Sequence, residues 1–496
     1  MPGAAADGYA LATWLFLRAL GLVYLVAFAS FAVQWRGLIG EGGILPAGRI
    51  LTQVGDQVRR SRGRRSLLAL PTLCWWRSDD RFLGLLCGAG VVLSLLLAAG
   101  VAQVPALVGL YVLYLSLASA SGVFLGYQWD VLLLEAGFLA IFAAPLDLGP
   151  AWPPGPAAHP LVRWLLYWLL FRLIVSSGAV KLRSGDRAWR SLTALAHHYE
   201  TQPLPHRGSW WAHQLPRPIQ RASTALALAA ELALPFLIFA PPPWRWGAAA
   251  GIALLMVLIA ATGNYGFFNL LALVLCIPLV DDRVWRAAAE AVGLAPPAPP
   301  PGAAGWPLWV LAPVAAVLLA LSLERLRALL GLGRLRVPGL PALARALEPF
   351  RLVNPYGLFA VMTTSRPELR VEGSLDGEEW RPYRFRWKAG DPERPPRWAM
   401  PHQPRLDWQL WFEALRGGRP SGWFALFLEA LLEARPAVLG LLAEDPFAGE
   451  RPRQVRAELD DYRFTDRRTR RETGRWWRRR RIGVHHPAVA LSEEVR

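Results

Sequence analysis

The residues of this chain that could do chemistry are charged side chains placed inside long apolar runs. The run 161–182 contains Arg172 and Lys181 and has the length of a membrane-spanning helix, which needs about 20 apolar residues. A charge inside a membrane costs roughly 3 kcal/mol or more unless it is paired. Arg172 and Lys181 are nine residues apart and therefore point to opposite sides of a helix. We expect each to have its own partner or role.

Two carboxylates lie in another apolar run, YQWDVLLLEAGFLA. Asp130 and Glu135 are five residues apart, about 140° around a helix, so they do not share one face. Arg18 and Arg172 are the candidate partners, because an ion pair between helices offsets the cost of removing charges from water. The run 128–145 is expected either to re-enter the same face of the membrane or to lie wholly inside a helix bundle.

The segment after Lys181, SGDRAWRSLTALAHHYETQP, is polar and rich in aromatic residues. Asp186 is expected to cap a short helix over AWRSLTALAHH. His197 and His198 are adjacent, so they face apart and cannot both bind one metal ion from a helix. Glu200 follows His197 by three residues, a spacing that favours contact between the two side chains. We predict a hydrogen-bonded loop that packs its aromatic residues against a helix bundle.

Two asparagines that open a later apolar run are expected to bond a neighbouring helix or free carbonyl groups. With them, the residues above form one predicted polar cluster, functional or structural. Its members are Asp130, Glu135, Arg172, Lys181, Asp186, Trp189, His198, Tyr199, Glu200, Asn264 and Asn269. No metal site and no cofactor is predicted, because the CxxC and HExxH spacings are absent from the sequence.

The composition excludes an ordinary soluble protein. Hydrophobic residues make up 54% of the 496 residues, and the mean hydropathy is +0.26. The net charge of +17 comes almost entirely from arginine, which in so apolar a chain indicates contact with anionic lipid rather than nucleic acid. The three cysteines, Cys74, Cys87 and Cys276, form no CxxC pair and argue against a disulfide framework or a thiol redox centre.

The recurring apolar runs predict an α-helical polytopic membrane bundle of about eight to nine segments. The runs lie near residues 9–33, 82–101, 104–121, 128–145, 161–182, 219–239, 246–262, 266–280 and 308–323. The first is expected to be a retained helix, since it is longer than the apolar core of a signal peptide. The second and third predict a tight helical hairpin. Glu231 and Pro235 are expected to interrupt the sixth.

Beyond residue 350 the pattern changes to alternation, which predicts a β-rich, sandwich-like extramembrane domain with a hairpin at Asp376-Gly377. The predicted units are a membrane domain at 1–330 with a polar loop at 183–217, a linker at 331–350, and a C-terminal domain at 351–496. The candidate residues of the C-terminal domain are Asp376, Gly377, Trp380, His402, Arg405, Asp407 and Trp408. Its basic tail, Arg467 to Gly483, is expected to be a solvated strand or to contact lipid headgroups, not RNA.

Three blocks of the chain resemble the lipase maturation factor family. They are GAVKLRSGDRAWRSLTALAHHYETQPLP, TGNYGFFNLLALVLCIPLVDD, and NPYGLFAVMTTSRPELRVEGSLDGEEWRPYRFRWKAGD followed by PHQPRLDWQLWFEAL. The similarity extends from about residue 10 to 490. It implies a membrane protein of the secretory pathway that helps secreted lipases fold and assemble. The implied partners are immature lipases or similar exported proteins, together with membrane lipid.

We therefore expect a maturation factor, not an enzyme, with clients held on exposed apolar surface of the C-terminal domain and on the HHYETQP loop. The alternative is a membrane enzyme. Lys181 opens a KLxSGDxxW run that is distantly similar to the membrane domain of vitamin K-dependent gamma-carboxylases, which implies that Lys181 acts as a base, with His198 and Glu200 as further catalytic residues. A third alternative is a lipid-binding scaffold that depends on the arginines from Arg467 to Arg481.

Two indications of orientation disagree. Basic residues at 34–81, 183–217 and 325–336 predict a cytoplasmic face for all three segments if the chain has nine spans. The family resemblance instead implies that the C-terminal domain faces the lumen. The Ala, Arg and Pro bias indicates a bacterial genome and hence the bacterial plasma membrane, whereas the family resemblance indicates the endoplasmic reticulum membrane.

Overall fold

A computed structural model describes residues 8–62, 66–150, 154–294, 305–333 and 337–491. Its first part is helical: α1 Ala10–Ala32, α2 Trp35–Ile39, α3 Ala47–Arg62, α4 Ser66–Ala69, α5 Asp80–Ala99, α6 Gln103–Ala120, α7 Gln128–Ala143, α8 Pro160–Arg183, α9 Arg187–Arg190, α10 Ala194–Thr201, α11 Arg207–His213, α12 Arg217–Leu237, α13 Trp244–Thr262, α14 Phe268–Cys276, α15 Asp282–Ala291 and α16 Leu308–Leu330. The second part mixes helices and strands: α17 Leu340–Leu347, β1 Pro367–Ser374, β2 Arg381–Pro382, α18 Arg405–Ala414, α19 Gly422–Leu432, α20 Pro436–Leu439, β3 Gln454–Phe464, α21 Arg467–Thr473 and β4 Trp477–Val489. Residues 334–336 of the predicted linker and 492–496 of the predicted C-terminal domain lie outside the described residues.

Six of the described helices are long and apolar enough to cross a membrane: α1, α5, α6, α8, α13 and α16. The predicted count of eight to nine segments is not confirmed, because α7 and α14 have only 16 and 9 residues and α12 is not among these six helices. The predicted interruption of the sixth run is wrong. Helix α12 continues through Glu231 and ends two residues after Pro235, so the proline removes a hydrogen bond only in the last turn.

The predicted hairpin of α5 and α6 is confirmed. Helix α5 is capped by Gly100 at φ +83°, a left-handed conformation that glycine adopts without steric cost, and α6 starts at Gln103. Helix α1 packs closely on α5, since a Cβ atom added to Gly90 would lie 2.2 Å from the ring of Phe28. Helix α7 is buried along most of its length, from Trp129 to Ala143. It therefore lies inside the bundle, which confirms the second of the two alternatives for this run.

The C-terminal part is built on one antiparallel sheet with the strand order β2-β1-β3-β4. The hairpin at Asp376-Gly377 is confirmed, with Gly377 at φ +90° and with Gly373 opposite Arg381. The sandwich-like architecture is wrong for the described residues. Helices α18 and α19 cover the sheet instead of a second sheet, and Phe424 and Phe427 of α19 share one apolar core with the strands. That core is continuous with the core of the helix bundle.

Candidate functional site

A buried ion pair joins α7 to α18. Arg405 donates from both terminal nitrogens to Asp130, with Nη1–Oδ2 and Nη2–Oδ1 distances of 2.6 and 2.8 Å. Tyr114 donates to the same carboxylate at 2.6 Å. Both side chains of the pair are buried. Burial opposes the charged form of the guanidinium, but Asp130 raises the pKa of Arg405 above its ordinary value.

The predicted partners of Asp130 are therefore wrong. Asp130 lies at the start of α7, next to α18, whereas Arg18 donates to the carbonyl of Leu97 and to Gln103 at 3.0 Å each, at the end of α5 and the start of α6. Arg18 and its partners Leu97 and Gln103 lie at the opposite end of the bundle from α18. Helical spacing indicates which face of a helix each charge occupies. It could not show that Arg405, 275 positions later in the chain, is the partner of Asp130.

Of the two candidate arginines, Arg172 does pair with one of the carboxylates, Glu135. Glu135 also accepts hydrogen bonds from the backbone nitrogen of Asn354 at 3.0 Å, from its side chain at 3.1 Å, and from the hydroxyl of Tyr356 at 2.6 Å. Sequence reasoning missed Asn354 and Tyr356. Their only signal was the NPYG stretch that opens the third block of family resemblance. The carboxylate of Glu135 thus has donors from both parts of the chain.

The polar loop at 183–217 is fastened to the sheet by arginines. Glu200 accepts from Arg463 at 3.1 Å and from the backbone nitrogen of Phe464 at 3.0 Å, so the expected contact with His197 is wrong. Arg366, which sequence reasoning missed, is fully buried. It donates to the carbonyls of Glu200 and Pro203 at 2.9 Å each, and also to Gln202 and Glu368.

Asp186 caps α9 as predicted, accepting from the backbone nitrogen of Ala188 at 2.7 Å. Its other oxygen accepts from the nitrogen of Met362 at 3.1 Å, and the indole of Trp189 donates to the carbonyl of Phe359 at 2.9 Å. The predicted helix is in fact divided into α9 and α10, because Leu192 adopts φ +57° between them. This short region also connects the loop to the chain beyond residue 350.

The two asparagines behave differently. Asn264 accepts from the nitrogen of Ala399 at 2.8 Å and donates to the carbonyls of Leu204 and Arg397 at 3.0 and 2.9 Å. Asn269 is buried in α14, and within the described part of the chain its amide has no hydrogen-bond partner. The expected bonds are thus confirmed for Asn264 and not for Asn269.

Two hydrogen-bonded groups remain within the membrane domain. Lys181 forms a buried ion pair with Glu231 of α12 and lies 4.9 Å from the ring of Trp189. His198 bonds the hydroxyl of Tyr265 at 2.8 Å, and that hydroxyl donates to Gln202 at 2.9 Å. Burial, helped by the charge of Lys181, lowers the pKa of His198 to about 3, so its ring is neutral.

The candidate residues of the C-terminal domain divide into two groups. His402 bonds Ser30 of α1 at 3.0 Å, and Trp408 packs edge-on against Trp129 of α7 at 5.0 Å between ring centroids. Burial lowers the pKa of His402 to about 4. With Arg405, these residues contact the bundle.

The other candidates stay within the C-terminal domain. Asp376 and Gly377 form the turn, Arg456 lies 3.9 Å over the ring of Trp380, and Asp407 accepts from the nitrogens of Trp387 and Lys388 at 2.9 Å. Burial raises the pKa of Asp407.

We call the contacts that join the bundle to the C-terminal part the joining network. Its pairs are Asp130–Arg405, Glu135–Asn354, Glu135–Tyr356, Asp186–Met362, Glu200–Arg463, Glu200–Arg366, Asn264–Ala399 and Ser30–His402. Five of the eleven residues of the predicted polar cluster belong to it: Asp130, Glu135, Asp186, Glu200 and Asn264. Within the described ranges, no group of three His, Cys, Asp or Glu residues could hold a metal ion, and Cys74, Cys87 and Cys276 are free and buried.

Comparison with known proteins agrees with this architecture. The family model described as lipase maturation factor transmembrane domain matches residues 11–287, and that of the lipase maturation factor C-terminal domain matches 352–487. Lipase maturation factor 2 of Gallus gallus is 34% identical over 97% of this chain and 81% of its own length.

Further relatives show the same extent of similarity. Lipase maturation factor 2 of Homo sapiens is 34% identical over 97% of this chain and 82% of its own length. Lipase maturation factor 1 of Bos taurus is 32% identical over 96% of this chain and 88% of its own length. No solved structure matches this chain. The chain is an integral membrane protein that belongs to the lipase maturation factor family.

Proposed function

We propose that this protein is a membrane-embedded maturation factor that binds partly folded lipases, or similar exported proteins, and assists their folding and assembly. Relatives with the name lipase maturation factor, similar over nearly the whole chain, support the client class. The structural observation that carries the proposal is the joining network. Because its ion pairs and hydrogen bonds are largely buried, the sheet is held at one end of the bundle and a bound client stays at a fixed place beside the membrane.

The free edge of β4 is the best place for a client. The strand order leaves this edge without a neighbour among the described strands, and Ile482 and Val484 of β4 are 46% and 48% exposed. An exposed strand edge offers backbone donors and acceptors to an extended segment of an incompletely folded protein. The HHYETQP loop does not offer such a surface, because Tyr199 and Glu200 are buried.

We further propose that α7, α12 and α14 complete nine crossings of the membrane. Contacts at the helix ends support this count. Gln34, just after α1, meets Arg405 of the C-terminal part, whereas Leu11 at the other end of α1 meets Asp282 after α14. An odd number of crossings then places the start of α1 and the C-terminal part on opposite faces. The loop at 183–217 shares the face of the C-terminal part.

We place that face on the exported side, where immature clients are present. This is the lumen if the membrane is that of the endoplasmic reticulum, as the animal relatives favour, and the outer face if it is a bacterial plasma membrane, as the composition favours. Any contact of the basic tail with a partner is then with lipid headgroups, not nucleic acid. Five of its arginines already form ion pairs within the domain: Arg468 with Glu472, Arg475 with Glu393, Arg478 with Asp466, Arg479 with Asp460, and Arg481 with Glu458.

Enzymatic use of Lys181 is not part of the proposal. Lys181 is engaged by Glu231, and a role as a base would require this ion pair to open. Glu200, the acidic residue of that alternative, accepts hydrogen bonds from Arg463 and from the backbone nitrogen of Phe464. The three residues therefore do not form one hydrogen-bonded group.

The test is restoration of lipase secretion. Cells lacking their own maturation factor are given this protein together with a secreted lipase, and the activity per molecule of secreted lipase is measured. An unrelated secreted phosphatase serves as the control client. We expect the lipase to gain activity and the phosphatase to be unaffected. Unchanged lipase activity, or an equal gain for both proteins, would contradict the proposal. The variant Val484→Lys, on the β4 edge, should lose the gain while the protein remains folded in the membrane.

A further inference from the structure

We propose that the membrane domain binds one molecule of a single-chain lipid with a neutral hydroxyl head, of the monoacylglycerol class, in a cavity beside Lys181 and Glu231. The cavity has a volume of about 540 Å³ and lies between α8, α10, α12 and α13. No part of this proposal depends on the binding of a client. It follows from the walls, the mouth and the polar end of the cavity.

The walls are apolar and the size suits a small lipid. The lining side chains include Ile174, Leu234, Leu255, Met256, Ile259 and Phe268. Ligand cavities in proteins generally measure roughly 300–1,000 Å³ and are lined mainly by apolar side chains. A cavity of this size has room for much of one acyl chain with a small head. Water alone does not favour such apolar walls.

The mouth of the cavity faces the surroundings of the bundle. Leu226 of α12 and Leu254 and Leu258 of α13 line the cavity and are 70%, 59% and 54% exposed. Helix α13 is one of the six helices apolar enough to cross a membrane. Large apolar side chains exposed on such a helix face the acyl chains of the bilayer. A ligand therefore enters from the lipid, with its own chain extending towards the mouth.

The polar end of the cavity has an unfilled hydrogen-bonding position. Glu231 is only 6% exposed, and its Oε1 accepts from Lys181. Its Oε2 is buried and has no hydrogen-bond partner in the described part of the chain. A buried carboxylate oxygen without a donor is costly, whereas a hydroxyl can donate to it and accept from the ammonium, which has three N–H donors. A hydroxyl head therefore fits both groups.

The charge balance selects a neutral ligand. Lys181 and Glu231 carry opposite charges that sum to zero, and His198, which also lines the cavity, is neutral at physiological pH. A fatty acid carboxylate or a phosphate headgroup would bring a further charge without a counter-charge into an apolar space, which is unfavourable. The same argument disfavours a cationic lipid.

The experiment uses the purified full-length protein in nanodiscs and a monoacylglycerol that carries a photoreactive diazirine in its chain. Labelling is quantified by mass spectrometry of the peptides from α12 and α13. Unmodified monoolein should compete with the probe, and oleate at the same concentration should compete at least about tenfold less well. Equal competition by oleate would overturn the choice of a neutral hydroxyl lipid.

Two variants test the place of binding. Leu255→Trp fills the cavity without touching the ion pair and should lower labelling about tenfold, while Leu319→Trp, on the exposed side of α16, is the matched control and should leave it unchanged. Glu231→Gln should weaken competition by monoolein about tenfold, since the head loses a charged acceptor. Thermal unfolding of each variant confirms that it is folded. Labelling that is the same in Leu255→Trp and in the control would overturn the site.

Discussion

Arg405 and Asp130 are 275 residues apart in the chain and form a buried ion pair with two hydrogen bonds, at the point where α18 meets the start of α7. Neither partner would be stable alone in this position, because a buried charge without a counter-charge is strongly unfavourable. The pair therefore makes the bundle and the C-terminal part depend on each other. Glu135 and Glu200 also link the two parts, since each accepts hydrogen bonds from residues beyond position 350.

Removing the guanidinium of Arg405 should destabilise the whole protein. Arg405→Ala leaves Asp130 buried and unpaired, and we expect the free energy of unfolding to fall by about 3–5 kcal/mol, measured by chemical denaturation in detergent micelles. Arg384→Ala is the control, because Arg384 and Glu444 form an exposed pair whose loss costs about 0–1 kcal/mol. Similar losses for the two variants would show that the buried pair contributes no more than a surface one.

Arg366 should stabilise the backbone of the polar loop at residues 200–203. Arg366→Ala removes donors from the carbonyls of Glu200 and Pro203, so hydrogen exchange of the backbone at 200–203 should become about tenfold faster, equivalent to ~1.4 kcal/mol of local stability. Arg456→Ala, which removes a pair with Glu372 elsewhere on the sheet, should not affect these amides. Exchange that rises evenly along the chain would indicate general unfolding and not a local role.

The polar loop and the C-terminal part should be accessible from the same side of the membrane. The three native cysteines are buried, so single exposed cysteines can be labelled with an impermeant maleimide against a low background. Arg190→Cys and Glu378→Cys should react from one side, and Glu290→Cys, in α15 at the opposite end of the bundle, only after permeabilisation. Labelling of Arg190→Cys and Glu378→Cys from different sides would contradict the observed contact between Glu200 and Arg463.

His402 should make stability depend on pH. Its pKa is about 4 in the folded protein and 6.5 when unperturbed, so the unfolded chain binds more protons between these values. The contribution of His402 is therefore complete above pH 6.5 and is lost as the pH falls from 6.5 towards 4. Replacement by glutamine, His402→Gln, should flatten the fall of the unfolding temperature in this window. His486→Gln is the control and should keep the slope of the native protein.

The sequence by itself determined the class of protein and much of the local structure. Apolar runs require membrane helices because backbone groups in lipid must bond within their own segment. An ion pair between Arg172 and a carboxylate of α7, the cap at Asp186 and the hairpin at Gly377 were also predictable, because each depends on neighbouring helices or on a few consecutive residues.

Only the tertiary structure decided which distant groups meet. Helical spacing gives the face on which Asp130 lies but not its partner, and no local pattern links Glu200 to Arg463 or Lys181 to Glu231. The sandwich-like domain was wrong for a related reason: strand alternation predicts a sheet but does not show that α18 and α19 cover it. The cavity beside Glu231 is likewise a property of packed helices, since it arises only where side chains of α8, α12 and α13 fail to fill the space between them.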